Sequence, residues 1–351
     1  MNGTPRILFI RRDNIGDLAC TTPLFAALRR RFPEGYICAL VTSYNRAAIE
    51  NNPAFDDVFS YTKAKHLDPG QSIVACHLDR FRTLLTLRAK RFDYCVLAGP
   101  GYQRRTIALA RWINARHVVG FVDPGEPHAK LIDHPIGWQF DAELTEAEDV
   151  WRLASAFDIK GPPGPLDVRP SPRMLAELEP RIRQFRGSGS RLIGIHISAR
   201  KPSQRWATAN FAALMATLNK ITGCRFLLLW APGSETNPRH PGDDAKAAAI
   251  VNASRALPVL EIATQSLEQL IAAISLCDDF ICPDGGAMHL AAAAGKPVIC
   301  LFGKSSASRW RPWRVPYRLL QTTSQTVDDI SVDAVVDAYL SLRAQVGIGS
   351  P

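Results

Sequence analysis

The feature of this sequence that most constrains its fold is an alternation of short β-rich runs with longer helical patterns, which stops once and then starts again. The runs at residues 7–10, 37–42 and 94–98 are each followed by a helical pattern, and the alternation resumes after residue 190. Such alternation is typical of parallel sheets covered by helices. The sequence therefore predicts an α/β protein built from doubly wound parallel sheets.

The interruption lies at residues 161–165, where Gly-Pro-Pro-Gly-Pro has the composition of a linker. A chain of 351 residues is long enough for two domains that each bury a core. We therefore place the domains at 1–165 and 166–330, followed by a C-terminal helix and tail at 331–351, whose packing on the first domain is left open. Ligands of doubly wound domains bind beyond the carboxyl ends of the strands, so the loops after the strands are the candidate sites.

The formal net charge is +9, from 42 Lys and Arg against 33 Asp and Glu. Residues 1–116 hold 18 basic and 9 acidic side chains, so the excess is concentrated near the N-terminus. This favours an acidic partner, and nucleic acid, an anionic membrane surface and a phosphorylated substrate all fit. A helical pattern at 79–91 carries cations that we predict to bind the phosphates of a substrate or anionic lipid, although a solvated helix face explains them equally well: Arg80, Arg82, Arg88, Lys90 and Arg91.

The eight cysteines lie mostly in apolar runs and show no zinc-binding spacing, which favours reduced thiols in a cytoplasmic protein. No apolar run approaches the roughly 20 residues that a membrane-spanning helix needs. If the protein works at a membrane, the sequence predicts that it binds the surface.

The first candidate loop, residues 11–17, follows the first β-rich run and ends in Gly16 and Asp17. Glycine permits a tight turn there, and the carboxylate of Asp17 could serve as a general base. Aspartate at the start of a helix commonly caps it instead. From spacing alone, capping is the simpler explanation.

Two further loops could hold a nucleotide. The loop after residues 192–196 carries cations and hydroxyls that suit a diphosphate, among them Ser198, Lys201 and Arg205, although a solvated basic loop is an equally good explanation. Glu235 follows the β-rich run 226–230 and could accept hydrogen bonds from a ribose or an adenine. Ordinary turn chemistry also accounts for its Pro-Gly-Ser neighbours.

The fourth loop contains two glycines, Gly285 and Gly286, directly after a β-rich run and before a helical pattern. Such glycines let backbone amides approach an anion at a helix N-terminus. Asp284 and His289 flank the same position. This loop is therefore a candidate anion site.

Several common nucleotide-binding and metal-binding motifs do not occur. Gly295-Lys296 is followed by proline, unlike a Walker loop, and Gly99-Pro100-Gly101 lacks the third glycine of a Rossmann fingerprint. No Asp-x-Asp pair of the kind that holds Mn²⁺ or Mg²⁺ against a nucleotide sugar occurs anywhere in the chain. The charge of a leaving group would then have to be met by Lys, Arg and helix dipoles, without a metal or other cofactor.

Taken together, the loops resemble one family from about residue 7 to residue 344. The chain is similar to the heptosyltransferases of lipopolysaccharide synthesis, glycosyltransferase family 9, whose fold is GT-B: two Rossmann-like domains facing a central cleft. The resemblance rests on these segments: Ile15-Gly16-Asp17 with Thr21-Thr22-Pro23-Leu24, Gln204-Arg205-Trp206, and Asp284-Gly285-Gly286-Ala287-Met288-His289-Leu290 with Gly295-Lys296-Pro297 and Leu301-Phe302-Gly303.

The resemblance implies an inverting, metal-independent glycosyltransferase in which Asp17 deprotonates the acceptor hydroxyl. We assign acceptor binding to the first domain, at Arg11, Arg12, Asn14 and Arg104. We assign donor binding to the second domain, at Ser198, Lys201, Arg205, Glu235, Asp284, Gly285, Gly286 and His289.

The implied donor is ADP-heptose, and the implied acceptor is a lipopolysaccharide core or a related anionic glycolipid. We expect the protein to be a monomer that binds peripherally to the cytoplasmic face of the inner membrane. The chain departs from the family pattern at Gln204, where a lysine is common, and at Gly285, where a threonine is common. The alternatives are a transferase of capsule or O-antigen assembly with another nucleotide sugar and, more remotely, a non-catalytic protein that binds nucleotide sugars or nucleic acid.

Overall fold

The computed structural model describes residues 4–63, 72–123, 125, 129–237 and 241–348. The chain divides into two compact units, Met1–Arg169 and Pro170–Pro351. The division falls slightly after the predicted boundary at 165/166, because residues 166–169 pack on the first unit. The backbone of Asp167 is held there by the Thr22 hydroxyl and the Asn52 side chain, each at 2.9 Å.

The described strands of the first unit form a six-stranded parallel sheet in the order β3-β2-β1-β4-β5-β6. The chain winds outward from β1 in one direction and then from β4 in the other, so the switch point lies between β1 and β4. The strands are β1 (Arg6–Ile10), β2 (Tyr36–Thr42), β3 (Asp57–Tyr61), β4 (Tyr94–Leu97), β5 (His117–Val122) and β6 (His134–Gly137). The helices are α1 (Ile15–Arg31), α2 (Ile73–Ala89), α3 (Arg104–Ile113) and α4 (Glu146–Trp151).

The first helix begins earlier than its sequence suggests. The Thr21-Thr22-Pro23 stretch predicts a helix start at about residue 22, and this prediction is wrong, because α1 begins at Ile15 and contains Pro23. Proline has no N–H for the carbonyl of Ala19, four residues earlier. The Thr22 hydroxyl donates to that carbonyl at 2.7 Å instead, so the carbonyl keeps a hydrogen-bond donor while the helix continues through the proline.

The second unit repeats the arrangement, with a parallel sheet in the order β12-β11-β10-β7-β8-β9 and a switch point between β7 and β10. Its strands are β7 (Leu192–His196), β8 (Arg225–Trp230), β9 (Val259–Ala263), β10 (Asp279–Pro283), β11 (Val298–Phe302) and β12 (Tyr317–Gln321). Its helices are α5 (Pro172–Arg186), α6 (Thr208–Thr222), α7 (Asp244–Ala253), α8 (Leu267–Ser275), α9 (Gly286–Ala293), α10 (Ala307–Trp310) and α11 (Val332–Ile348).

The C-terminal helix α11, whose packing the sequence left open, belongs to the core of the second unit. Its apolar side chains, among them Val335 and Leu342, are buried there. Its polar face binds the buried carboxylate of Asp279, to which Tyr339 donates at 3.0 Å and Arg343 pairs at 3.2 Å. Burial and this carboxylate raise the pKa of Tyr339, so the phenol stays a donor.

All eight cysteines are free, and seven of them are buried. Burial raises the pKa of six of these thiols, that of Cys277 to about 12, which keeps them protonated and unreactive; the six are Cys38, Cys95, Cys224, Cys277, Cys282 and Cys300. Among the helices that the structure describes, none combines the length and the apolarity needed to cross a membrane.

Candidate functional site

Asp17 lies in the first turn of α1, beyond the carboxyl end of β1 and next to the switch point of the first sheet. One carboxylate oxygen accepts hydrogen bonds from the backbone N–H and the side-chain amide of Asn14, at 2.9 and 2.7 Å. The other oxygen lies 3.3 Å from the guanidinium of Arg11. Asp17 therefore does cap the helix, and the same contacts hold its carboxylate in one orientation.

Arg11 is the centre of a buried ionic cluster. Only 1% of its side chain is exposed, and it pairs with the equally buried Glu146 at 2.6 Å and with Asp13 at 3.2 Å. It also donates to the carbonyl of Ala98, which ties the loop after β1 to the loop after β4. Burial alone would lower the pKa of Arg11, but the carboxylates of Glu146, Asp17 and Asp13 raise it, so the guanidinium keeps its charge.

This cluster changes the role predicted for Arg11. We expected Arg11 to contact the acceptor, whereas its guanidinium is buried against carboxylates and orients Asp17. Glu146, the partner on α4, is a residue that sequence reasoning missed. The acidic composition of residues 143–158 predicts an acidic helix, but nothing local shows that the carboxylate of Glu146 is buried and pairs with Arg11.

A pocket of about 820 Å³ opens between α2, α3 and the loop after β1. Arg12 extends from that loop into the pocket wall, where it donates to the Tyr61 hydroxyl at 2.8 Å and to the Thr106 hydroxyl at 2.9 Å. The other basic side chains that line the pocket are Lys63, His77, Arg80 and Arg105. The pocket is thus suited to an anionic ligand.

The predicted acceptor residues are distributed unevenly around this pocket. Arg12 lines it, whereas Asn14 is exposed and bound to Asp17. Arg104 is exposed at the first position of α3, and its neighbour Arg105 faces the pocket instead. Lys63, which follows β3, and Arg105, on α3, were missed, because only the tertiary fold places both at the wall of this pocket.

In the second unit, the loops after β7 and β10 meet at the switch point. The side-chain amide of Gln204 donates to the carboxylate of Asp284 at 2.6 Å and to the hydroxyl of Ser305 at 3.2 Å. Both Gln204 and Asp284 are buried. A neutral amide therefore joins the two loops at the position where the family resemblance implies a lysine.

The N-terminus of α9 follows directly. The space where a Cβ on Gly285 would lie is open, and α9 begins with Gly286. The first N–H groups of a helix lack partners within it and carry a partial positive charge, so this terminus suits an anion. His289, one turn along, is buried with its ring 5.8 Å from that of Trp310.

The remaining predicted donor residues lie in the loops after β7 and β8. The Ser198 hydroxyl accepts from the backbone N–H of Ala231 at 2.9 Å, which joins these two loops. Arg205 is half-buried and donates to the carbonyl of Ala199 at 3.1 Å. Lys201 and Glu235 are exposed.

His196, the last residue of β7, makes the folded state sensitive to acid. Burial and, second, the nearby charge of Lys246 lower its pKa from 6.5 to about 4. Between pH 6.5 and 4 the unfolded chain therefore binds a proton that the folded chain does not. We expect the free energy of unfolding, measured by denaturant titration, to fall as the pH decreases through this window, by up to about 1.4 kcal/mol per pH unit. His196→Gln should flatten the dependence, whereas the exposed His77→Gln should not; equal slopes in all three proteins would refute the assignment.

One group of side chains in the described part of the chain could hold a metal ion. His117, Asp133 and His134 bring their ligand atoms within 4.8 Å of one another. They lie at the amino ends of β5 and β6, whereas Asp17 follows the carboxyl end of β1. A metal at this group would therefore lie at the opposite edge of the sheet from Asp17.

Two doubly wound domains of this topology define the GT-B class of glycosyltransferases, and solved structures share the fold. A glycosyltransferase of family 9 from Veillonella parvula has a TM-score of 0.83 at 19% identity, covering 98% of this chain and 99% of the other. The heptosyltransferase WaaC of Escherichia coli, solved with ADP, has a TM-score of 0.76 at 15% identity, covering 96% and 99%.

The sequence comparisons identify the family. The model for glycosyltransferase family 9 (heptosyltransferase) matches residues 80–336, and the chain belongs to this family. The lipopolysaccharide heptosyltransferase 3 of Escherichia coli is 25% identical over 309 residues, which are 85% of this chain and 83% of that protein. The protein is therefore a glycosyltransferase, and both the predicted fold class and the family resemblance are confirmed.

Proposed function

We propose that the protein is an inverting, metal-independent heptosyltransferase that moves heptose from ADP-heptose to a lipopolysaccharide core or a related anionic glycolipid. It would act as a monomer on the cytoplasmic face of the inner membrane. The observation that carries the proposal is the Asp17 carboxylate, held by Asn14 and Arg11 beyond the carboxyl end of β1. The similarity to proteins named lipopolysaccharide heptosyltransferases supports the choice of sugar and acceptor.

The proposed reaction is a single displacement. The acceptor hydroxyl donates a hydrogen bond to Asp17 and loses its proton to that carboxylate as its oxygen attacks the anomeric carbon. The bond from this carbon to the diphosphate oxygen breaks on the opposite face, and the nucleoside diphosphate leaves with the electron pair. Attack from the face opposite the leaving group inverts the configuration of the anomeric carbon.

The leaving diphosphate would be stabilised by the groups of the second unit. The N-terminus of α9, with Gly285 in front of it, supplies backbone N–H donors and a partial positive charge. Lys201 and Arg205, on the loop after β7, supply full charges within the same set of loops. Adenine as the base is supported by the structural relative that was solved with ADP.

The acceptor would enter the pocket between α2 and α3. Its basic lining matches phosphate or carboxylate groups on a glycolipid, and Arg12 belongs to the loop that also presents Asn14 beside Asp17. This pocket accounts for part of the positive charge of the N-terminal third.

A transferase that uses another nucleotide sugar is the second candidate, and the Gln204–Asp284 hydrogen bond favours it. Where the family commonly has a lysine, this chain has a neutral amide whose donor is already engaged. The contact of Gln204 with the donor would therefore differ from the family pattern. Gln204 lies in the second unit, to which we assign binding of the nucleotide sugar.

The test is a transfer assay with purified protein, a truncated lipopolysaccharide acceptor and a panel of nucleotide sugars. We expect ADP-heptose to be used and ADP to raise the melting temperature, because a ligand that binds only the folded state stabilises it. Turnover with another sugar and none with ADP-heptose would select the second candidate. No transfer and no nucleotide-induced shift would contradict both.

The same assay tests metal independence. With 5–10 mM EDTA, roughly the excess that removes a bound divalent ion, turnover should stay within about twofold of the untreated enzyme, since Lys, Arg and the α9 terminus meet the leaving-group charge. Loss of turnover that Mg²⁺ or Mn²⁺ restores would refute the metal-free mechanism. If EDTA changes the melting temperature without loss of turnover, the metal that it removes would be one bound by His117, Asp133 and His134, away from the reaction.

A further inference from the structure

A row of large apolar side chains is exposed along α2. Val74, Leu78, Phe81 and Leu85 are 68, 51, 51 and 44% exposed. Their spacing of four, three and four residues places them on one face of the helix, which we call the α2 stripe. The side chain of Leu84 lies on a neighbouring face and is buried in the core of the first unit. The α2 stripe is therefore a second apolar face, additional to the one that holds the helix on the sheet.

This exposure is concentrated in one place. Of the eight large hydrophobic residues exposed in the described part of the chain, five lie on α2. Scattered single exposed residues are ordinary, but a contiguous patch commonly marks a surface that binds a membrane or a partner. The α2 stripe therefore has the properties of a surface that binds a membrane or another molecule.

Charge around the α2 stripe favours an anionic occupant. Arg82 and Arg88 are exposed, and helical spacing places one on each side of the stripe. Asp79 is the one acidic residue of α2 and lies on the far face. An apolar face with basic flanks and a polar back is the pattern of a helix that lies in the interface of an anionic bilayer.

The α2 stripe also borders the pocket between α2 and α3. Phe81 belongs to both, since it is half-exposed and lines the pocket next to Arg80 and Trp112. A membrane at the stripe would therefore lie beside the mouth of the basic pocket.

We propose that the α2 stripe docks the protein on an anionic lipid bilayer. Its four apolar side chains enter the boundary between headgroups and acyl chains, while Arg82 and Arg88 bind lipid phosphates. Docking brings the basic pocket to the surface in which a lipid-linked acceptor is anchored, so the acceptor's polar head enters the pocket without leaving the membrane. This inference rests on the proposed function only in taking the pocket as the acceptor site.

The test is cosedimentation of the full-length protein with vesicles of phosphatidylcholine alone or with 30% phosphatidylglycerol, roughly the anionic content at which basic interfacial helices bind. The wild type should bind the anionic vesicles, less at high salt. Leu78→Gln/Leu85→Gln should weaken binding at least about tenfold, because two apolar contacts are lost. Arg82→Glu/Arg88→Glu should weaken it similarly and remove the salt dependence. Thr86→Gln, an exposed change on the polar face of the same helix, is the matched control and should bind like the wild type.

A second readout separates this proposal from the proposed function. Leu78→Gln/Leu85→Gln should lose transfer to a vesicle-embedded acceptor yet retain transfer to a lipid-free fragment of the same acceptor. Failure of the wild type to use either acceptor would contradict the proposed function and leave vesicle binding to be judged separately. The docking proposal is overturned if the wild type does not bind anionic vesicles or if Leu78→Gln/Leu85→Gln binds them normally. It is also overturned if the wild type is a dimer through the α2 stripe and this variant is a monomer.

Discussion

Asp17→Asn is expected to lower the rate of sugar transfer by about 10²–10⁴-fold, the range that a positioned general base contributes, while ADP binds with unchanged affinity. An amide keeps the size of the carboxylate and can still accept a hydrogen bond from Asn14, but it cannot take up the proton of the acceptor hydroxyl. Single-turnover transfer and the nucleotide-induced shift in melting temperature measure the two effects on the same protein.

The matched control for this substitution is Asp13→Asn. Asp13 is a carboxylate of the same loop that pairs with Arg11 at 3.2 Å and is one-third exposed. Its change should alter transfer only a few-fold, because it removes a similar charge from the same guanidinium without removing the base. Near-normal turnover in Asp17→Asn, or equal losses in both variants, would show that Asp17 is not the base.

Glu146→Ala is expected to have the largest effect on stability. It removes the main partner of Arg11, a cation that is 1% exposed, and breaking a buried ion pair from one side costs about 3–5 kcal/mol. Because Arg11 also orients Asp17 and binds the carbonyl of Ala98, the loops after β1 and β4 should lose their fixed arrangement. The denaturant midpoint and the rate of transfer should therefore both fall.

Two further variants keep this prediction testable if Glu146→Ala does not fold. Glu146→Gln retains a hydrogen-bond acceptor for Arg11 and should lose less stability while still slowing transfer. Glu148→Gln changes a carboxylate two residues away on the same helix, where glutamine can replace glutamate in the capping box with Thr145. A Glu146 variant as stable and as active as Glu148→Gln would contradict the positioning role.

Much of the fold could be predicted from the sequence because strands and helices have different hydrophobic periods. The alternation of the two indicates parallel sheets, and each candidate loop does follow a strand. The start of α1 could not be predicted, because proline is common in the first turn of a helix, whereas Pro23 lies inside α1 and the Thr22 hydroxyl donates to the Ala19 carbonyl in place of the missing N–H. The end of the first unit also depended on contacts distant in sequence, since Asp167 is held by Thr22 and Asn52.

In the candidate site, too, some residues could be predicted from the local sequence and others only from contacts between distant parts of the chain. Asp17, Asp284 and the paired glycines could be recognised because their spacing from a strand and a helix start is local. The partners that determine what these residues do could not: Glu146 lies 135 residues from Arg11 in the chain, and Asp284 lies 80 residues from Gln204. Arg11 accordingly looked like a ligand for an anion in the sequence but serves as the buried partner of three carboxylates in the structure.

The sequence by itself determined the α/β class, the family and the loops that hold the candidate base and the anion site, because these depend on local periodicity and on short motifs. Only the tertiary structure decided which cations are buried and which line the pocket, and that α2 exposes a second apolar face. Burial and charge pairing depend on side chains that approach from distant parts of the chain, and no local pattern encodes that approach.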